Sequence, residues 1–140
     1  MELRPFGSLT LQLASDRLFF LGETPVGKRI IQEIEDVRFE GERLKAKMDG
    51  KAGADWLAID AKGIATFDIR MLLKTDDDAH VYLRYEGKAD WSAGMGQGPI
   101  YVQAWFESGD ERYGWINNVA VVGKGVVRDG GVAYDFFELV

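Results

Sequence analysis

The chain has 140 residues, 46% hydrophobic and 29% charged, which fits one domain spanning residues 1–140, with its own core and a solvated surface. That balance excludes a disordered chain, and apolar runs such as Leu18–Leu21 are far too short to span a bilayer. A net charge of −6 makes nucleic acid a poor partner, and the lack of cysteine removes disulfides, thiolate nucleophiles and cysteine-ligated zinc sites.

Alternation of apolar and polar residues predicts strands in chain order. Ser8–Leu13 places Leu9, Leu11 and Leu13 on one face. Leu18–Leu21 is a second short run, and Lys28–Val37 reads as a strand because of its β-branched residues. Arg43–Met48 alternates strictly, and Asp55–Asp60 is short. Ile64–Thr75 sets Phe67, Ile69, Met71 and Leu73 against Thr66, Asp68, Arg70 and Lys74. The Asp76–Asp78 turn returns the chain through Ala79–Tyr85. Trp91–Gly98 is a glycine-rich loop, Ile100–Glu107 is apolar on both faces, and Asp110–Asn118 is an aromatic-laden turn. Val119–Val127 and Val132–Leu139 meet around Asp129-Gly130-Gly131.

About nine or ten strands and no convincing amphipathic helix predict an all-β fold, a single antiparallel β-barrel that leaves no sheet edge exposed. The N-terminal residues lack a secretory signal layout, so the expected location is cytoplasmic, with no membrane partner.

A set of short motifs follows in order: Pro25–Arg29 (PVGKR), Phe39–Leu44 (FEGERL), Gly53–Trp56 (GADW), Asp68–Arg70 (DIR), Thr75–Asp77 (TDD), Phe106-Glu107 and Tyr113–Asn117 (YGWIN). In order and spacing the set resembles an uncharacterised bacterial and fungal family, uncharacterised protein family 0311 or domain of unknown function 3237. The resemblance implies a lipocalin-like barrel with a central cavity and no settled activity. The family pattern commonly has glycine after the paired aspartates, where this chain has Asp78, and often threonine after Phe-Glu, where it has Ser108.

Several constellations could carry chemistry. Asp68 and Arg70 leave the same face of one strand, as a base with an anion clamp or as a solvated pair. A lumenal placement would turn the apolar stripe outward and call for a homo-oligomer, and the opposite placement would suit a monomer; the doubly apolar strand at Ile100–Phe106 favours the homo-oligomer, which is the expectation. Asp55 and Trp56 could grip a ligand at the barrel rim, or cap a turn and pack in the core. Tyr113, Trp115 and Asn117 share a face if extended and could read a polar aromatic ligand, or close one barrel end. Glu107 is a further candidate acid or base, or an exposed strand end. His80, the sole histidine, reads as surface, which leaves no triad and no multi-histidine metal site. Asp76–Asp78 lacks the spacing of a calcium loop, and Gly94–Gly98 has no following Lys-Ser/Thr to cradle phosphate, though it could form a lid.

Three functions follow as expectations, none requiring a metal or cofactor. The first is a cavity binding a small, partly aromatic organic molecule. The second is a cofactor-independent isomerase, lyase or cyclase, in which a carboxylate moves a proton and an arginine or tyrosine steadies an oxyanion. The third is a structural or assembly protein without a ligand.

Overall fold

Along Ile64–Thr75 every second side chain is buried, from Ala65 through Phe67, Ile69, Met71 and Leu73 to Thr75. Fully burying one such large apolar side chain stabilises the fold by about 1.5–3 kcal/mol, whereas burying Asp68 and Arg70 would carry a desolvation cost. The apolar face therefore turns inward. The computed structural model describes residues 1–140 and repeats this rule around a closed antiparallel barrel.

Its elements are β1 (Leu3–Thr24), β2 (Gly27–Glu40), β3 (Lys45–Ile59), β4 (Ile64–Thr75), β5 (His80–Asp90), β6 (Ile100–Glu107), the 3-10 helix η1 (Glu111–Asn118), β7 (Val121–Arg128) and β8 (Gly131–Leu139). Each strand pairs with its sequence neighbours, and β1 closes on β8 from Leu3↔Leu139 to Gln12↔Gly131. No helix is long and apolar enough to cross a membrane.

The barrel has eight strands, not nine or ten, because two bulged strands each read as two segments. Ser8–Leu13 and Leu18–Leu21 both lie in β1, separated by a bulge between Leu13 and Leu18. The Gln32 side-chain amide secures that bulge by donating to the carbonyl oxygens of Ala14 at 2.8 Å and Glu33 at 2.9 Å. Likewise Arg43–Met48 and Asp55–Asp60 largely merge into β3, whose pairing with β4 jumps from Met48↔Leu73 to Gly53↔Met71.

One end of the barrel is plugged. The segment expected as a turn at Asp110–Asn118 coils into η1, with Asp110 as its N-cap accepting from the Arg112 amide at 2.9 Å. Ile116 is fully buried beneath it. Asn117 exchanges two hydrogen bonds with the Ser108 backbone, at 2.8 and 2.9 Å. The Thr75 and Tyr113 hydroxyls both donate to Asp77 at 2.7 Å and hold its carboxyl below the ordinary range. The opposite end carries the β1–β2, β3–β4 and β7–β8 turns and the β5–β6 loop.

Asp78, standing where the resembled family commonly has glycine, adopts a φ of +70° in the β4–β5 turn. That left-handed conformation favours glycine and tolerates aspartate better than alanine. Asp78→Gly is expected to be more stable than Asp78→Ala by about 1 kcal/mol in chemical denaturation. Equal stabilities would contradict the assigned turn geometry.

Candidate functional site

The barrel interior is filled unevenly. Toward the plugged end, Phe6, Phe39, Phe106 and Phe136 pack with ring centroids 5.3–6.5 Å apart. Toward the loop-bearing end the side chains stop short of one another and leave a cavity of about 340 Å³. Sixteen residues line it, thirteen of them hydrophobic; the others are Gln32, Asp55 and Gly96. No arginine, lysine or histidine lines the cavity, so it offers no fixed positive charge to an anion.

Strand register explains the one carboxyl among these groups. Asp55 pairs with Gln32 of β2 and Ile69 of β4, both of which face the interior. Its neighbour Trp56 consequently points outward. Asp55 is half-buried at the lumen wall with protein packed around its carboxyl, and it is the only acidic residue lining the lumen. Its one hydrogen bond within the chain is a long one, accepted at Oδ1 from the Asp68 amide at 3.4 Å. Burial pushes its pKa well above the usual carboxylate value, aided by the Asp68 charge and opposed by that hydrogen bond and Arg29.

Two tyrosines complete the polar floor. Tyr134 lines the cavity, and Tyr85 packs edge-on against it with ring centroids 5.2 Å apart. The Tyr85 hydroxyl is buried without a hydrogen-bond partner. Burial and the proximity of Asp55 raise the pKa of both phenols. Glycine makes room for this arrangement: Gly125 of β7 pairs directly with Tyr134, and a β-carbon there would collide with the tyrosine ring. Gly123 likewise clears Phe136, whose Cδ1 would lie 2.7 Å from an added β-carbon.

At the mouth, the Trp91–Gly98 loop is tied at its ends by the Trp91 indole donating to the Gly98 carbonyl at 3.0 Å. Trp91 also packs against Phe67, with centroids 5.1 Å apart. Gly94 and Gly96 have φ of +141° and +79°, which explains the glycine-rich composition. Met95 from this loop and Leu18 from β1 form an exposed apolar rim over the cavity.

Among the eight candidate residues read from the sequence, Asp55 alone faces the lumen. Asp68 and Arg70 stand on the outer wall as an ion pair at 3.3 Å, because the inward face of β4 carries the apolar stripe. The stripe's inward placement removes one ground for the expected homo-oligomer; the other, the apolar residues on both faces of Ile100–Glu107, stands, with Tyr101 and Trp105 exposed on the outer wall. Arg70 lies over the outward Trp56 at 5.0 Å from the ring centroid, in a shallow outer groove. Glu107 is exposed on the outer face of β6. Tyr113, Trp115 and Asn117 do not share an extended face; η1 disperses them at the plugged end, where Trp115 sits under Arg43 at 4.4 Å. Sequence reading missed Gln32, Tyr85 and Tyr134 as lumenal or floor residues. A tyrosine opposite a strand glycine was the available signal for Tyr134. No group of three or more His, Cys, Asp or Glu side chains is placed to hold a metal ion.

The fold and site define a closed eight-stranded antiparallel barrel, plugged at one end and hollow at the other. The chain belongs to the DUF3237 family, described as a protein of unknown function, whose model matches residues 1–139. A β-barrel-like protein from Acinetobacter baumannii is 31% identical with a TM-score of 0.88, over 99% of this chain and 96% of that one. A protein with unknown function from Clostridium acetobutylicum shares the fold at 19% identity and a TM-score of 0.89, with 100% of each chain covered. An enzyme from Penicillium herquei shares it at 17% identity and a TM-score of 0.75, over 99% of this chain and 94% of that one. No match is found among curated proteins.

The raised Asp55 pKa has a signed consequence for stability. The folded chain favours the neutral acid, so its cost is absent below the unfolded value, near 3.8, and grows as pH rises to the folded value. Asp55→Asn should therefore gain stability over the parent across that window, by at most about 1.4 kcal/mol per pH unit, and hold a constant advantage above it. Denaturation curves of the two proteins that stay parallel from acid to neutral pH would contradict the assigned burial.

Proposed function

We propose that this protein binds a small, partly aromatic organic molecule in the hollow half of its barrel. The observation that carries the reading is the unfilled lumen: an apolar cavity of about 340 Å³ with a few polar groups gathered at its floor. A structural barrel without a ligand would gain from filling that space, since interiors otherwise pack at near-crystalline density.

A neutral fluorescent probe, N-phenyl-1-naphthylamine, should bind with a stoichiometry of one. Leu13→Trp, which places an indole at a cavity-lining position, should weaken binding at least tenfold, while Trp56→Ala on the outer groove leaves it unchanged. Loss in Trp56→Ala with retention in Leu13→Trp would move the site to the outer wall.

A second reading is favoured by Asp55. A carboxyl whose pKa is pushed well above the usual value by burial in an apolar lumen is suited to general acid–base catalysis. In this reading the barrel is a cofactor-independent proton-transfer enzyme of the isomerase, lyase or cyclase kind. In its ionised form Asp55 takes the proton beside the carbonyl and, as the acid so formed, returns one to the substrate, while the Tyr134 hydroxyl steadies the developing oxyanion. The description of the Penicillium herquei neighbour as an enzyme agrees with this reading, although that likeness extends to the fold alone. With a small enolisable aryl ketone in D₂O, the parent protein should speed deuterium incorporation beside the carbonyl, as followed by NMR. Asp55→Asn should bind the ketone and lose that acceleration. Equal rates in the two proteins would exclude Asp55 as the proton-transfer group.

A further inference from the structure

We propose that the lumen floor is a recognition site for an uncharged carbonyl oxygen, built by Asp55 and Tyr134 with Tyr85 behind them, so that the ligand class is neutral aromatic ketones and quinone-like compounds. The inference rests on the lumen being the ligand site and names what that site selects.

Hydrogen-bond inventory carries it. Asp55 accepts only one long bond, from the Asp68 amide at 3.4 Å, and no partner in the chain accepts a proton from it. The Tyr134 hydroxyl borders the cavity and donates to no group in the chain. Behind it, the fully buried Tyr85 hydroxyl also lacks a partner. Buried polar groups are normally satisfied, and the unpartnered Tyr85 hydroxyl, behind Asp55 and Tyr134 on the lining, marks a place kept for a ligand atom. In their neutral forms Asp55 and Tyr134 each present an O–H to the lumen, with Tyr85 behind Tyr134. The missing complement is an acceptor.

Charge then selects among acceptors. A carboxylate or phosphate brought to this floor would be buried against apolar walls with no cation on the lining. An ammonium would require Asp55 to ionise in the same enclosure, so two charges would lose their hydration. A carbonyl oxygen accepts from two donors at once and carries no charge, while the hydrophobic lining holds the attached ring.

Four naphthalenes of matched shape separate the possibilities by displacement of N-phenyl-1-naphthylamine: 2-acetylnaphthalene, 2-ethylnaphthalene, 2-naphthoate and 2-(aminomethyl)naphthalene, at neutral pH. The ketone should bind at least tenfold more tightly than each of the others. That advantage over 2-ethylnaphthalene should fall severalfold in Tyr134→Phe and disappear in the double variant Asp55→Leu/Tyr134→Phe. Both variants should bind 2-ethylnaphthalene at least as tightly as the parent does, which reports an intact lumen. The proposal is overturned if the hydrocarbon equals the ketone, if the naphthoate or amine binds most tightly, or if the ketone advantage survives the double substitution. Those outcomes leave a ligand-holding lumen standing. Failure of the dye and all four compounds to bind would remove the lumenal reading itself.

Discussion

Closure of β1 onto β8 fixes the facing of each strand, bulges included, because it decides which side chains share one narrow interior. Once Leu9 and Leu11 of β1 sit beside Tyr134 and Val132 of β8, the neighbouring strands inherit their facing through the ladder. That constraint puts Phe67, Ile69 and Met71 inside and sends Asp68 and Arg70 out. The same register brings Asp55 inward between Gln32 and Ile69. A carboxyl in that position has no counter-charge on the lining, and its unusual chemistry follows from the closure.

The interior is divided between stability and binding. Four phenylalanines and the Ile116 plug fill one half, where each fully buried apolar side chain contributes about 1.5–3 kcal/mol. Packing of that density can support a neighbouring void whose walls gain little from one another. The tyrosine pair lies at the boundary, with Tyr134 touching both Phe136, at 5.7 Å between centroids, and the cavity. Gly123 and Gly125 let the aromatic rings lie against the β7 backbone, so the floor is set by backbone clearance as well as by side-chain choice.

Much of the barrel was legible in period-two alternation, especially the β4–β5 hairpin and the β7–β8 turn, whose Asp129 and Gly130 have φ of +48° and +76°. The strand number was not, because the bulges after Leu13 and Met48 break alternation without ending the strand. The short η1 helix escaped because eight residues with a central glycine carry no helical periodicity. For the site, the GADW motif singled out Asp55 but could not rank it above Asp68 or Glu107. What distinguishes Asp55 is enclosure, and the groups responsible, Tyr85, Tyr134 and Ile69, come from other strands and reach it only through tertiary pairing. The DIR motif misled in the opposite sense: its two charged groups lie on the right strand, on the face that the apolar residues force outward.

The central claim is that Asp55 faces an apolar lumen and that burial there pushes its carboxyl pKa well above the ordinary value. Carbon-13 NMR of aspartate-labelled protein, with the Asp55 side-chain carboxyl signal assigned by its loss in Asp55→Asn, reads that protonation directly. The signal should titrate well above the ordinary carboxylate value near 3.8 and shift further upward when a neutral aryl ketone is bound. A midpoint at or below the ordinary value, unmoved by the ketone, would place the carboxyl in water and contradict the site.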